Sequence, residues 1–495
     1  MAGPSEMNST QPPAYVSGES YDWRLTRQPE RPWRHAYHQM LVDKTWIGTK
    51  ANPQTGEAAR LDHNAEQVLE RIRWVAQVTR GLPRITYLIG WQHDGHDSKY
   101  PDWSVVNPRL KRPQDATARE SLIWLMREAR KYNTTVSLHV NMTDAYENSP
   151  LWDEYVAKGV IVRDKGTGQL YRSPGAVWGG EQAYWIDHER EWATGLAQRR
   201  IDGLLDLLPI AEAGTIHIDA FYITDHTKIE AQKAAIRKEF RYWRDRGVDV
   251  TSEAVFHQRQ GEAFIGLQPM SYVVNMKAWG YSTEKPELTD EQRMEIPAWL
   301  YCHAHDDVAQ EAGQLFGTSM VDETLATPAD FVRPFCLQVL PWYFLNRHNR
   351  LRLRNEPDGA RTLELSDGVV SRVSGDGHRT IQHQGRLLVD GTDVCVPALW
   401  RPHRELIAFS KTGYAQRSWT LPFDWHDVQK VEVFEVGPAG QIPLKTLSLS
   451  GGQVSLALRA GQMVCIVPAG TSAEAVRQED QEKTDYRSNR QEGVE

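Results

Sequence analysis

The feature that most constrains this chain is the segment at residues 214–222, GTIHIDAFY, because it places a carboxylate inside a strand. Apolar residues alternate there with polar or aromatic ones, which is the period-2 pattern of a β-strand. A carboxylate among apolar neighbours costs free energy unless it is paired or put to use, so Asp219 requires a partner or a function. A second carboxylate, Glu253, lies in a second strand-like run at residues 248–256.

The same alternation of strands and helices extends over residues 85 to about 345 and predicts a parallel α/β core. A (β/α)8 barrel fits a length of roughly 300 residues. A doubly wound sheet is the alternative, but the chain lacks a GxGxxG, Walker or GxSxG motif. Besides the two strands above, the patterns predict a helix from Asp62, a strand at 85–89, a helix from near Asp115, a strand at 135–140, a helix at 192–208 and a helix at 228–246.

From about residue 360 the pattern changes to short β-rich runs separated by Gly and Pro, which predicts an antiparallel β-sandwich. Residues 148–191 form a long segment rich in Gly and Trp, read either as a lid or substrate wall or as a plain insertion. The predicted organisation is a flexible lead-in at 1–30, a barrel domain at 31–350, a β-sandwich at 360–470 and a disordered tail at 471–495.

Composition excludes several classes of protein. A net charge of -8 over 495 residues gives no basic footprint for nucleic acid or an anionic membrane. The four Cys form no CxxC pair, which predicts reduced thiols, and the polar N-terminus predicts a cytoplasmic location. We predict no cofactor and no catalytic metal, while a structural metal and a homo-oligomer remain open. The 18 Trp are consistent with sugar stacking, although burial in a core explains any single one equally well.

Polar residues cluster directly after the predicted strands, where active sites of alternating β/α folds lie. The loop at residues 90–98 is dense in ionisable groups. Two carboxylates at neighbouring strand ends are the groups that glycoside hydrolysis requires, one to attack the anomeric carbon and one to protonate the leaving oxygen. Two alternatives stay open: Asp219 could bind a metal with His217, which lies on the same strand face, and Glu253 could face solvent. The cluster at residues 303–307 is read as a solvated polar patch rather than a metal site.

The order of four short motifs resembles the catalytic domain of glycoside hydrolase family 101, the endo-α-N-acetylgalactosaminidases. The motifs are Gly95-His96-Asp97-Ser98 with Pro101-Asp102, His139-Val140-Asn141, Ile218-Asp219-Ala220-Phe221 and Thr251-Ser252-Glu253. The resemblance implies a retaining mechanism on a (β/α)8 barrel, with Asp219 as nucleophile and Glu253 as acid/base.

The resemblance also implies a set of substrate-binding residues. Asp97 is similar to a sugar-hydroxyl ligand, with His96 beside it in the same loop, and His139 and Asn141 are similar to pocket residues. Trp178 and Trp185 fall where the family has a Trp-bearing loop over the substrate. His217 completes the set. The complete list of predicted substrate-binding residues is His96, Asp97, His139, Asn141, Trp178, Trp185 and His217.

The predicted activity is hydrolysis of α-linked GalNAc or galactose-type sugars in a carbohydrate or glycoconjugate. This chain is shorter than well-known members of the family and has Ala254 where they have an aromatic residue. The predicted cytoplasmic location favours small imported glycosides or glycopeptides as substrates. The alternatives are an α-galactosidase or transglycosylase of different sugar specificity and a non-catalytic carbohydrate-binding protein.

Overall fold

The computed structural model describes residues 31–219, 221–252, 267, 269, 327–348 and 350–471. Glu253, Ala254, the predicted cluster at 303–307 and Cys302 lie outside the described residues. The other three cysteines, Cys336, Cys395 and Cys465, are buried free thiols, as predicted. No helix in the described part of the chain is long and apolar enough to cross a membrane.

Helices and strands alternate in the N-terminal part. The strands are β1 (Leu41–Trp46), β2 (Gly48–Thr49), β3 (Arg60–Leu61), β4 (Arg84–Ile89), β5 (Thr134–Val140), β6 (Asp144–Ala145), β7 (Arg172–Trp178), β8 (Glu181–Trp185), β9 (Thr215–Ile218) and β10 (Asp249–Ser252). The helices are α1 (Ala65–Val78), α2 (Ala118–Glu128), α3 (Trp152–Ala157), α4 (His188–Ala193), α5 (Leu196–Leu207), α6 (Ile210–Ala213) and α7 (Ile229–Asp245).

Five of these strands form a parallel sheet in the order β1-β4-β5-β9-β10. The predicted parallel α/β core is therefore confirmed. Its strands are buried on both faces, and helices α1, α2, α5 and α7 pack their apolar stripes against it. Capping boxes at Asn64 and Thr117 begin α1 and α2, which satisfies N–H groups that each helix leaves unpaired. All five carboxyl ends consequently point to one edge of the sheet.

The C-terminal part is antiparallel, as predicted. Its strands are β11 (Arg350–Asn355), β12 (Arg361–Leu365), β13 (Val369–Val373), β14 (Arg379–His383), β15 (Arg386–Asp390), β16 (Asp393–Pro397), β17 (Leu406–Ser410), β18 (Tyr414–Thr420), β19 (Lys430–Gly437), β20 (Gly440–Ser448), β21 (Gln453–Leu458) and β22 (Met463–Pro468). Ten of them form one sheet in the order β11-β12-β13-β14-β15-β16-β17-β22-β19-β20. The remaining pair, β18 and β21, covers one face of it through a core that includes Trp419 and Leu456.

A helical segment before β11 packs against the other face of the large sheet. It comprises α8 (Pro328–Pro334), a π-helical stretch over Phe335–Val339 and α9 (Leu340–Leu345). Pro334 and Pro341 lie within this apolar run. The structure keeps it helical because Pro341 lies in the first turn of α9 and a π stretch follows Pro334. One hydrophobic core joins this segment to α1 and to the large sheet.

Three predicted segments differ from the structure. The helix predicted at 192–208 is divided into α4 and α5, because Gly195 adopts a left-handed φ of 75° between them. The segment at 148–191 is not irregular throughout, since it contains α3 and the β7–β8 pair. The strand around Asp219 ends at Ile218, so the carboxylate lies just past the strand instead of within it.

Candidate active site

Asp219 lies at the carboxyl edge of the parallel sheet. Its backbone N–H donates to the carbonyl of Val140 at 2.7 Å, which ties the end of β9 to the end of β5. The Asp219 side chain is 22% exposed, so a ligand can reach it, whereas neighbouring His139 is only 3% exposed. The carboxylate therefore lies one residue past the end of β9.

Asn141 orients the Asp219 carboxylate. Its Nδ2 donates to Asp219 Oδ2 at 3.1 Å and to Asp144 Oδ2 at 2.8 Å. The Asn141 Oδ1 accepts from the backbone N–H groups of Thr143 and Asp144 at 2.7 and 2.8 Å. Because these backbone donors can only meet an oxygen, they fix which end of the amide faces the carboxylates. The turn after β5 therefore sets the direction of Asp219.

His139 and His96 complete the surroundings of Asp219. His139 Nε2 lies 3.6 Å from Asp219 Oδ2, and the His96 and His139 rings pack edge to face with centroids 5.3 Å apart. One ligand atom from each of His96, His139 and Asp219 lies within 4.8 Å of the others, so this trio has the spacing to hold a cation. The alternative metal site predicted from the sequence paired Asp219 with His217 instead of with His96 and His139.

The loop that carries His96 and Asp97 is held close to β1 and β2. The His96 N–H donates to the carbonyl of Gly48 at 2.9 Å, and the His96 ring packs on Trp46 at 4.7 Å. Gly90, with a φ of 81°, begins the loop, and a Cβ there would lie 2.0 Å from the Gly48 oxygen. The close approach of these two backbones therefore requires glycine. Asp97 Oδ2 lies 3.3 Å from His96 Nε2.

The other predicted substrate-binding residues differ in how deeply they are buried. His217 is completely buried, stacks on His139 at 5.4 Å, and its Nδ1 is 2.8 Å from Thr251 Oγ1. Trp185 stacks on Tyr222 with centroids 5.4 Å apart, three residues past Asp219. Trp178 ends β7, and its side chain lies outside the described part.

Glu253 also lies outside the described residues, but the strand before it is described. In the pairing of β9 with β10, Ser252 lies opposite Ile218. Asp219 and Glu253 are the residues that directly follow this pair in the sequence.

Sequence patterns missed Lys50, which connects three parts of the site. Its Nζ donates to the Asp97 carbonyl at 2.9 Å and to Glu181 Oε2 at 2.6 Å, and it lies 4.2 Å from the centre of the Tyr146 ring. The side chain is 5% exposed. Lys50 thus joins the His96 loop to the β7–β8 pair. Nothing in the aperiodic sequence around residue 50 distinguishes this lysine from a surface one.

A cleft of about 410 Å³ opens beside Lys50. Seven of the eleven residues that line it have polar or charged side chains. The eleven residues are Lys50, Ala51, Asn52, Pro53, Gly56, Glu57, Ala58, Asp94, Ser98, Asn148 and Glu181. The residues that line this cleft do not include Asp219, His96 or His139, so the cleft is separate from the immediate surroundings of Asp219.

Burial and the negative charges of Asp97 and Asp219 raise the pKa values of groups near the site. Burial, followed by the charges of Asp97 and Asp219, raises the pKa of the Tyr100 hydroxyl well above its ordinary value. Burial and then the charge of Asp97 raise the pKa of Asp144 to about 7, although the hydrogen bond from Asn141 lowers it in part. The Asp144 carboxyl is therefore substantially protonated at neutral pH.

Asp144→Asn should remove a pH dependence of stability. The unfolded chain loses this proton near pH 4 and the folded protein only near pH 7, so Asp144 lowers the free energy of unfolding as pH rises through that window. A shift of about three pKa units corresponds to at most about 4 kcal/mol. We therefore expect the free energy of unfolding of the variant to exceed that of wild type at pH 8 and to differ little from it at pH 4. Urea unfolding across this range measures the gain.

The control for that experiment is Asp153→Asn, at an exposed carboxylate on α3. Its stability should follow the wild-type curve at every pH. If the curve for Asp144→Asn also runs parallel to wild type, Asp144 does not hold its proton in the folded state.

Comparison with known families bears directly on this region. The model of the endo-α-N-acetylgalactosaminidase family, glycoside hydrolase family 101, matches residues 58–270. Residues 58–270 of this chain are therefore similar to glycoside hydrolase family 101. The resemblance inferred from the four motifs is confirmed, and all of the predicted catalytic and substrate-binding residues fall inside the matched range.

Individual relatives agree with the family 101 match. A curated protein from Renibacterium salmoninarum, provisionally named an endo-α-N-acetylgalactosaminidase, is 25% identical over 438 residues, which cover 83% of this chain and 25% of that protein. This chain therefore spans about a quarter of that relative's length.

Solved structures share the fold. The quadruple mutant of the α-N-acetylgalactosaminidase NagBb from Bifidobacterium bifidum is 12% identical with a TM-score of 0.52, covering 73% of this chain and 59% of that one. The GalNAc complex of NagBb is 13% identical, also with a TM-score of 0.52, and covers 70% of this chain and 58% of that one.

Proposed function

We propose that this protein is a retaining α-glycoside hydrolase acting on α-linked GalNAc or galactose-type sugars. The observation that carries the proposal is the accessible Asp219 carboxylate, oriented by Asn141 beside His139 at the carboxyl edge of a parallel sheet. This arrangement lies within the region that matches family 101. The family match and the NagBb fold support the α-N-acetylgalactosaminide class of substrate.

Asp219 is the proposed nucleophile and Glu253 the proposed acid/base. Ser252 lies opposite Ile218 in the pairing of β10 with β9, and Glu253 and Asp219 are the residues that follow them in the sequence. Retaining enzymes hold their two carboxyl groups about 5–5.5 Å apart, and retention is the mechanism that the family resemblance implies.

In the first chemical step Asp219 attacks the anomeric carbon while Glu253 protonates the leaving glycosidic oxygen. In the second step Glu253 takes a proton from water, and that water releases the sugar from Asp219. Asn141 holds the direction of the Asp219 carboxylate through both steps, because its amide is fixed by the backbone of residues 143 and 144.

The remaining predicted residues bind the sugar in this proposal. Asp97, His96 and His139 present hydrogen-bonding groups around Asp219. His217 stacks against the His139 ring and so fixes its position. Trp185, at the end of β8, supplies an aromatic face for the apolar side of a pyranose, and Trp178 is the second aromatic residue proposed for this role. We also propose that the parallel sheet closes into a (β/α)8 barrel, followed by a β-sandwich formed by the large antiparallel sheet and its β18–β21 layer.

A substrate panel tests the function. Aryl α-GalNAc, aryl α-galactoside and an aryl core-1 disaccharide should separate an exo-acting GalNAc enzyme, an α-galactosidase and an endo-acting enzyme. The first-formed sugar should have the α configuration when followed by NMR, as retention requires. Binding of these sugars without turnover would instead identify a non-catalytic carbohydrate-binding protein and overturn the proposal.

Glu253→Gln tests the acid/base role separately. We expect turnover of a substrate with a poor leaving group to fall by about 10²–10⁴-fold, with a smaller loss for an activated aryl leaving group that needs no protonation. Azide should restore turnover and yield the α-glycosyl azide, since it replaces the water that Glu253 activates. A uniform loss across leaving groups without azide rescue contradicts the assignment.

A further inference from the structure

A group of ionisable side chains lies in the interior behind the candidate active site. His188 and Glu191 lie one turn apart on α4, which places them on the same helix face, and Glu239 lies on α7 opposite them. All three side chains are completely buried. One potential ligand atom from each lies within 4.8 Å of the other two.

Hydrogen bonds account for only one of the three residues. Glu191 accepts from Tyr155 Oη at 2.7 Å and from Arg200 Nη2 at 2.9 Å, so Arg200 balances its charge. Both carboxylate oxygens of Glu239 and both ring nitrogens of His188 lack a hydrogen-bond partner among the described residues. Fully buried glutamates are rare unless they are paired or coordinate a metal, so Glu239 needs a cation or a proton.

A proton alone does not satisfy this pair. His188 Nδ1 and Glu239 Oε2 are 3.5 Å apart, beyond the 2.7–3.2 Å of an ordinary N–H···O hydrogen bond. A proton shared between them would also leave the second oxygen of Glu239 and the second nitrogen of His188 unsatisfied. The backbone N–H of His188 is not available to Glu239, because it donates to Gln232 Oε1 at 2.8 Å.

We propose that His188, Glu239 and Glu191 bind a divalent cation that links α4 to α7. A metal ion accepts lone pairs from an imidazole nitrogen and from carboxylate oxygens at once, which is what these inward-facing groups offer. A mixed nitrogen and oxygen set favours a first-row ion such as Zn²⁺ or Mn²⁺, whereas Ca²⁺ and Mg²⁺ prefer oxygen alone. Because Glu191 already forms an ion pair with Arg200, Glu239 and His188 are the stronger ligands.

The site is structural and does not depend on the proposed glycosidase function. Arg200, which pairs with Glu191, also donates through Nη2 to the carbonyl of Met142 at 3.2 Å. Met142 follows Asn141 in the turn that orients Asp219. The cation would therefore fasten α4, whose Glu191 pairs with the arginine that contacts this turn, to α7. Its presence can be measured without any substrate.

Metal analysis of the wild-type protein is the first test. Protein purified without a metal-affinity resin should contain about one Zn²⁺ or Mn²⁺ per chain by elemental mass spectrometry. Removal by a chelator in mild denaturant should lower the melting temperature by roughly 5 °C or more, and Zn²⁺ or Mn²⁺ should restore it where Ca²⁺ and Mg²⁺ do not. Metal-free wild type whose melting temperature responds to neither ion overturns the proposal.

Glu239→Gln, with a matched control, is the second test. The variant should lose the bound ion and its response to added Zn²⁺ or Mn²⁺. Glu405→Gln is the control, because it makes the same change at another fully buried glutamate and should keep the ion even though it loses stability. Equal metal content in the two variants contradicts the site, and if Glu239→Gln does not fold, the wild-type measurement still decides.

Discussion

Asp219→Asn should reduce kcat/KM for an aryl α-glycoside by about 10⁴-fold or more, the scale of loss when a covalent nucleophile is removed. The fold should be unaffected, because the new amide oxygen can accept the Asn141 Nδ2 hydrogen bond that Asp219 Oδ2 accepts at 3.1 Å. Steady-state kinetics and the melting temperature together separate loss of chemistry from loss of structure.

The control is Asp225→Asn, which makes the same change at an exposed carboxylate six residues further along the chain. It should keep wild-type kinetics. Wild-type turnover by Asp219→Asn would remove this residue from the mechanism.

The stereochemistry of azide rescue distinguishes the two proposed carboxylates. In Asp219→Gly, azide can enter from the face that the carboxylate has vacated and should give the β-glycosyl azide. In Glu253→Gln, azide should give the α-glycosyl azide, because it attacks the sugar held on Asp219 from the opposite face. The same anomer from both variants would contradict the assignment of separate roles.

The location of polar residues at strand ends was predictable from the sequence because it depends on local patterns. A buried strand followed by polar residues indicates its own carboxyl end, and these patterns together with the family resemblance pointed to His96, Asp97, His139, Asn141 and Asp219. The chemical roles of these residues stay predictions. The parallel topology then brings these ends together. The five residues are separated by up to 123 positions in the chain, but the sheet order reduces that separation to a few ångströms around Asp219.

Residues that act through long-range contacts could not be predicted in this way. Lys50 lies in a segment with no periodic pattern, and its partners are a backbone carbonyl at Asp97 and a carboxylate at Glu181. The edge strand β1 was also missed, since the charges of Asp43 and Lys44 obscure its alternation. Asp43 is tolerated in this buried strand because Arg84 on β4 pairs with it. Such compensation is visible only once the strands are placed side by side.

The contact between the parallel and antiparallel parts could not be predicted from the sequence either. It leads to a prediction for the stability of a Glu405 variant. Arg80, just after α1, donates from Nε and Nη2 to the Glu405 carboxylate at 2.6 and 3.0 Å, and both side chains are fully buried. Trp400 Nε1 donates to the Arg80 carbonyl at 3.0 Å. Burial alone would raise the pKa of Glu405, but His403 and Arg80 outweigh it and lower that pKa to about 2.

Glu405→Gln should lower the free energy of unfolding by about 3–5 kcal/mol at pH 7, because it leaves the Arg80 charge buried without its partner. The depressed pKa makes this stabilisation of wild type fully present above about pH 4.3 and progressively lost as pH falls toward 2, so the gap between the two proteins should narrow in acid. Denaturant unfolding at pH 7 and pH 3 measures both effects.

Glu154→Gln provides the matched surface control for Glu405→Gln. Glu154 also pairs with an arginine, Arg199, but it does so at the surface, where solvent screens the pair. We expect this variant to lose less than about 1 kcal/mol at pH 7. An equal loss in the two variants would mean that the buried Arg80–Glu405 pair does not fasten the antiparallel sheet to the part of the protein that holds Asp219.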